Sequence, residues 1–167
     1  MEKKRSPFAA WKIVIPVFLF LGGSFSSLCL AKPADFLRIK YAFSFAVCHA
    51  YCLGEMTIDG RQVTFKKASR LPKPLFPEIS KKGSLSDDEW KELNFLLKTT
   101  RFERIKGYYG CPDCYGQGSL KLKVETAKID KDVNMDYKNY PTELANLAKF
   151  LDNLWDRMDQ EPEPAQQ

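Results

Sequence analysis

The chain has 167 residues, with 26 Lys and Arg against 21 Asp and Glu and a net charge of +5 when its single His is neutral. Residues 1–31 hold four of the bases and one of the acids, so the remaining 136 residues carry 22 against 20, a net charge of +2. That balance, without clustered Lys and Arg interleaved with aromatics, argues against a nucleic-acid partner, and the length suits one domain with a real hydrophobic core.

Lys3, Lys4 and Arg5 form a positive head, and Ile13 to Leu21 is apolar except for Pro16. Small residues follow (Gly22, Gly23, Ser24, Ser26, Ser27), and then Leu28-Cys29-Leu30-Ala31. This is the order of a secretory signal, with cleavage expected between Ala31 and Lys32. An uncleaved membrane anchor is the alternative, although the apolar run is shorter than the ~20 residues of a span. Lipid attachment at Cys29 is disfavoured by the large Leu28 before it. The expected compartment is therefore secreted or periplasmic, with no stable membrane span once residues 1–31 are removed.

Residues 36–47 alternate. Leu37, Ile39, Tyr41, Phe43, Phe45 and Val47 share one parity and Arg38, Lys40, Ala42, Ser44 and Ala46 the other, the pattern of a half-buried strand. Cys48-His49-Ala50-Tyr51-Cys52 interrupts it. Asp59-Gly60 then predicts a tight hairpin with both residues at positive φ. In that register Ile58 pairs with Arg61, Met56 with Val63 and Gly54 with Phe65, which puts Met56, Ile58, Val63 and Phe65 on one face.

Residues 68–83 contain Pro72, Pro74 and Pro77 among several lysines and are expected to form a long exposed loop, a candidate partner-contacting arm. Ser86 with Glu89 predicts a capping box, Leu85 a staple to Trp90, and Trp90, Leu93, Leu96 and Leu97 the buried stripe of a helix. After Phe102 and Ile105 comes Tyr108-Tyr109-Gly110-Cys111-Pro112-Asp113-Cys114-Tyr115-Gly116-Gln117-Gly118. Leu120, Leu122 and Val124 predict a strand, and Val133, Met135 and Tyr137 another over 131–137. Pro141 is expected to open a last helix, whose buried stripe is Leu144, Leu147, Ala148, Leu151, Leu154, Trp155 and Met158. Residues 159–167 read as a disordered polar tail. The expected organisation is a signal peptide at 1–31, a single domain at 32–158 and this tail. The expected fold is α+β: an antiparallel sheet of about four to five strands with two amphipathic helices packed on one face.

Four cysteines outside the leader, Cys48, Cys52, Cys111 and Cys114, allow three chemistries. Structural disulfides are the expected one in an oxidising compartment. Linking the two clusters would close a loop of about 60 residues and contribute about 4 kcal/mol, against about 2 kcal/mol for each local bridge. Stability alone therefore favours cross-linking, while spacing leaves the pairing open. Zinc held by the same four thiolates is the alternative, with His49 a possible substitute ligand. Thiol–disulfide exchange at Cys111-Pro112-Asp113-Cys114 is the third, but it lacks the following helix N-terminus that would lower a thiol pKa.

Cys111 to Gly118 also fits the Cys-x-x-Cys-x-Gly-x-Gly pattern of the zinc modules of DnaJ-type chaperones, which use four copies where this chain has one. The wider succession of strand, Cys-x-x-x-Cys turn, Asp-Gly hairpin, capped helix, Cys-Pro-Asp-Cys turn, strands and Pro-initiated helix resembles small exported or lipoprotein-like bacterial domains of unknown function. That resemblance implies a single exported domain and carries no activity. With one His, a nucleophilic triad would have to be built on His49, and Asp87-Asp88 are accounted for by the dipole of the helix they begin. The expected function is a disulfide-stabilised binding or interaction domain, with no cofactor and with an unknown protein or small ligand as partner.

Overall fold

The computed structural model describes residues 37–71 and 75–161. The expected signal peptide, Pro72, Pro74 and most of the expected tail lie outside the described residues. Seven strands form one sheet: β1 (Leu37–Ser44), β2 (Leu53–Asp59), β3 (Gln62–Ala68), β4 (Ile79–Ser84), β5 (Tyr108–Tyr109), β6 (Ser119–Thr126) and β7 (Asp130–Asp136), in the order β4-β3-β2-β1-β6-β7-β5. Two helices, α1 (Asp87–Thr99) and α2 (Ala145–Gln160), complete an α+β fold.

The sheet is larger than expected and mixed. Its central five strands are antiparallel, whereas β5 pairs with β7 in parallel, Tyr108 opposite Asn134. Both unexpected strands, β4 and β5, are edges. Alternation is strong where one face is buried against a core, and an edge strand needs little of it. β4 carries Ser80, Lys81, Lys82 and Gly83, so it reads as loop. Lys81 is nonetheless buried, its ammonium donating to the carbonyls of Met158 (3.1 Å), Asp159 (2.7 Å) and Glu161 at the end of α2. A cation at a helix C-terminus satisfies carbonyls that have no partner within the helix.

The hairpin turn lies one residue later than expected. Asp59 faces Gln62, Ile58 faces Val63 and Met56 faces Phe65, leaving Gly60 and Arg61 as the loop. Gly60 has φ +57°, and neither Asp59 nor Arg61 is among the residues with positive φ. This is the glycine-first type of two-residue loop. Moving the turn by one residue shifts each cross-strand partner by two, so Met56, Ile58, Val63 and Phe65 still share the buried face.

Both helices contribute to the single core cluster under that face. Ile39, Met56, Ile58, Phe65, Leu120, Leu122 and Met135 meet Leu93 of α1 and Leu147, Leu151 and Met158 of α2. α1 begins with the expected capping box: Ser86 Oγ accepts from Glu89 N (3.2 Å), and Ser86 N donates to Glu89 Oε2 (2.7 Å). α2 starts at Ala145, four residues after Pro141, because Leu144 N and Ala145 N first close turns on the Pro141 and Thr142 carbonyls. It also runs through Asp159 and Gln160, residues expected in the tail.

One polar cluster ties the sheet to α2. The buried Tyr41 hydroxyl donates to Asp152 and lies 3.0 Å from the Tyr140 hydroxyl, which donates to the same carboxylate at 2.8 Å. Burial, then the hydrogen bonds with Asp152 and Tyr140, hold Tyr41 well above the ordinary tyrosine range. No helix among the described residues is long and apolar enough to cross a membrane.

Candidate functional site

Antiparallel register decides which loops are neighbours. Ser44, Leu53, Ala68, Ser119 and Asp136 stand at one end of their strands. The loops β1–β2, β3–β4 and β5–β6 therefore gather at that end of the sheet, together with the start of the β7–α2 connection. All four described cysteines lie there.

The sulfurs pair locally. Cys48 is at disulfide distance from Cys52, with Cα atoms 5.6 Å apart, and Cys111 from Cys114, with Cα atoms 5.4 Å apart. The stability argument for cross-linking the clusters does not decide the pairing, because each loop turns back on itself and brings its own two cysteines together. Phe45 N donates to the Cys52 carbonyl at 2.9 Å, closing the first loop from inside. In the second, Cys114 N donates to the Cys111 carbonyl (3.0 Å), Gln117 Nε2 donates to that carbonyl (3.0 Å), and Cys111 N donates to Asp136 Oδ1 (3.0 Å). Asp113 takes φ +63°, a region that Asp tolerates better than most side chains.

The two stapled loops touch. Ala46 N donates to Asp113 Oδ1 at 3.4 Å. A Cβ on Gly118 would stand 2.4 Å from the Phe45 ring, so only glycine permits that approach. Beneath them is an aromatic cluster in edge-on contact, with centroids 4.7 Å apart for Phe45–Tyr137, 5.3 Å for Phe43–Tyr137 and 4.8 Å for Phe43–Trp155. Aromatic pairs of this geometry add ~0.5–1.5 kcal/mol beyond burial, which gives the loops a stiff seat. Burial also holds the Tyr137 hydroxyl above its ordinary value, with Lys138 pulling the other way.

The described part of the proline loop joins the same end. The Tyr51 hydroxyl donates to the Pro77 carbonyl at 3.1 Å, the Tyr51 and Phe76 rings are 6.0 Å apart, and Lys67 Nζ lies 5.1 Å from the Tyr51 centroid. On the open face of the sheet beside these loops, Ala42, Ser44, Leu53, Ala68 and Ser119 line a shallow depression of about 530 Å³. Small side chains create it, and Glu55, Lys66 and Lys121 also line it.

Each loop presents a large apolar side chain to solvent, alongside the exposed His49 and Gln117. Val47 is 79% exposed in the first stapled loop and Tyr115 is 93% exposed in the second. Each is the chain neighbour of a bridged cysteine, Val47 of Cys48 and Tyr115 of Cys114, so its backbone is anchored on one side.

Little else in the arrangement supports chemistry. His49 is exposed and makes no hydrogen bond to another described residue. The N–H groups of Cys111, Asp113, Cys114, Tyr115 and Gly116 all donate elsewhere, so none remains to stabilise a thiolate in the Cys111–Cys114 turn. The described residues contain no group of three or more His, Cys, Asp and Glu arranged to hold a metal ion. The sequence pointed to the cysteines and to Pro77, but not to Gln117, Asp136, Phe45 or Tyr137, which set the loops in place. The available signals were the parity of Phe43 and Phe45 and that of Tyr137 with Val133 and Met135. No protein-family model and no curated protein matches this chain.

Proposed function

We propose that this chain is an exported domain, stapled by its two local disulfides, that binds a partner through the loop end of its sheet. The observation that carries the reading is the meeting of two bridged loops at one end, each offering an exposed apolar side chain, Val47 and Tyr115. Exposed aromatic and aliphatic side chains on rigid loops can form contacts while losing little entropy, the condition for a binding hot spot. Disulfides fit a compartment outside the reducing cytosol, and residues 1–31 supply the address.

Three measurements test it together. N-terminal sequencing of the protein from its native source should begin at Lys32. Non-reduced peptide mapping should yield Cys48–Cys52 and Cys111–Cys114 and no cross-link between the pairs. Chemical cross-linking in native extract should give an adduct that is lost in the Val47→Ser/Tyr115→Ser double variant and kept in Phe95→Ser, a control that removes an exposed aromatic from α1. Four thiols that alkylate without reductant, with zinc lost to chelator in native mass spectra, would replace the staples by a metal centre.

A further inference from the structure

A concavity of about 760 Å³ lies at the opposite end of the domain, between α1 and the β6–β7 turn. It brings Trp90 from α1, Phe102 from the turn after α1 and Ile129 from the β6–β7 turn to one place. Phe102 is buried in the core, while Trp90 and Ile129 are partly buried against it, so the floor is continuous with the hydrophobic interior. Its volume falls in the range of small-molecule sites, roughly 300–1,000 Å³.

Charge around this floor is unbalanced. Lys98, Lys128 and Lys131 all line it. On the open face of the sheet, by contrast, Arg38, Lys40, Lys121 and Lys123 each hold a carboxylate within 3.2 Å. None of the three cavity lysines pairs with an acid among the described residues. Two acids, Glu103 and Asp130, share the lining, and the field of Asp130 also supports the charge on Lys123. The Arg61 guanidinium, 5.6 Å from the Trp90 ring centroid, is already paired with Asp87 at 2.8 Å, so the unpaired charge comes from the three lysines. Water satisfies lysines at low cost, but an apolar floor ringed by unpaired cations also matches a ligand with an apolar body and one anionic head.

We propose that this cavity binds a small amphipathic carboxylate, its apolar body against Trp90, Phe102 and Ile129 and its carboxylate among Lys98, Lys128 and Lys131. The site is distinct from the loop end and does not depend on the reading given to it.

The test uses the mature chain with decanoate and 2-naphthoate as probes, and decanol and 2-naphthylmethanol as their neutral counterparts. Titration is followed by backbone and indole ¹H–¹⁵N spectra. Shifts confined to the Trp90 indole and residues 126–131, with each carboxylate at least ~10-fold tighter than its neutral counterpart, are the expected result. The triple variant Lys98→Gln/Lys128→Gln/Lys131→Gln should fold normally, because these side chains make no described ion pair, and should erase that preference. Trp90→Phe should weaken acid and neutral probe alike. Equal affinity for acid and neutral analogue, or an unchanged preference in the triple variant, would overturn the proposal. So would shifts at the loop end instead, or binding that appears only in a chain shortened to begin at Leu37, which would make the cavity a seat for the chain's own preceding segment.

Discussion

Replacing Lys81 by Met tests whether one buried ammonium fastens the edge of the sheet to the last helix. Methionine keeps a stem of similar length, so packing near the Phe65 ring, whose centroid lies 5.7 Å from Nζ, is largely retained. What disappears is three donors, to the carbonyls of Met158, Asp159 and Glu161. Residues Asp159 and Glu161 are partly exposed, so water can replace the lysine at their carbonyls; Met158 is fully buried, so its carbonyl is left with less help. An orphaned buried acceptor costs ~1–3 kcal/mol, and losing a cation at a helix C-terminus costs a further ~0.3–1 kcal/mol. The sum is about 1.3–4 kcal/mol, a fall in Tm of about 5–16 °C for a domain of this size. Urea unfolding of the oxidised protein, with hydrogen exchange at β4 and the last turn of α2, reads both the magnitude and its location. Lys67→Met is the control, since its contact with Asp159 at 2.9 Å is partly exposed and worth at most ~1 kcal/mol. A change below about 0.5 kcal/mol in Lys81→Met, well under the sum above, would refute the reasoning.

Tyr41→Phe should cost about 1–2 kcal/mol, because Asp152 keeps the hydrogen bonds from Tyr140 but loses the buried one from Tyr41. A tyrosine raised in the folded state above its unfolded value of about 10 contributes stability that is complete below that pH and lost as pH rises beyond it. Urea midpoints at pH 8 and pH 10.5 should accordingly fall further in the wild type than in Tyr41→Phe. Gly54→Ala places a Cβ 2.3 Å from Phe43 Cζ and 2.7 Å from Trp155 Cη2, inside a packed aromatic cluster. It should destabilise by about 3 kcal/mol and shift the Trp155 fluorescence, and a neutral result would mean that these rings are free to move. Ser86→Ala removes half of the capping box and should lower stability by about 1 kcal/mol in the same unfolding assay, with no change in slope.

Legibility followed the burial of one face. The five central strands and both helices were readable because each lays a periodic apolar stripe on the core: Leu37, Ile39 and Tyr41 at a spacing of two, and Leu147, Leu151 and Leu154 at helical spacing. β4 was hidden because its buried side chain is a lysine whose partners lie about 80 residues later. β5 was hidden because two residues have no period. At the candidate site the cysteines were visible, but the carboxamide of Gln117, the carboxylate of Asp136 and the ring of Phe45 that shape their loops were not. The Asp136 and Phe45 contacts join residues far apart in the chain, and the Gln117 contacts, though within six residues, follow no periodic pattern.

By itself, then, the sequence determined the kinds of element, their buried faces, the helix start at Ser86 and the presence of two cysteine pairs, all of which rest on interactions within a few residues. Only the tertiary structure decided that the hairpin turns at Gly60-Arg61, that each pair of sulfurs closes on itself, and that both stapled loops share one end with Val47 and Tyr115 exposed. The physical reason is register: shifting cross-strand partners by two preserves every buried face while changing which residue each side chain opposes, so the choice is left to packing across the sheet.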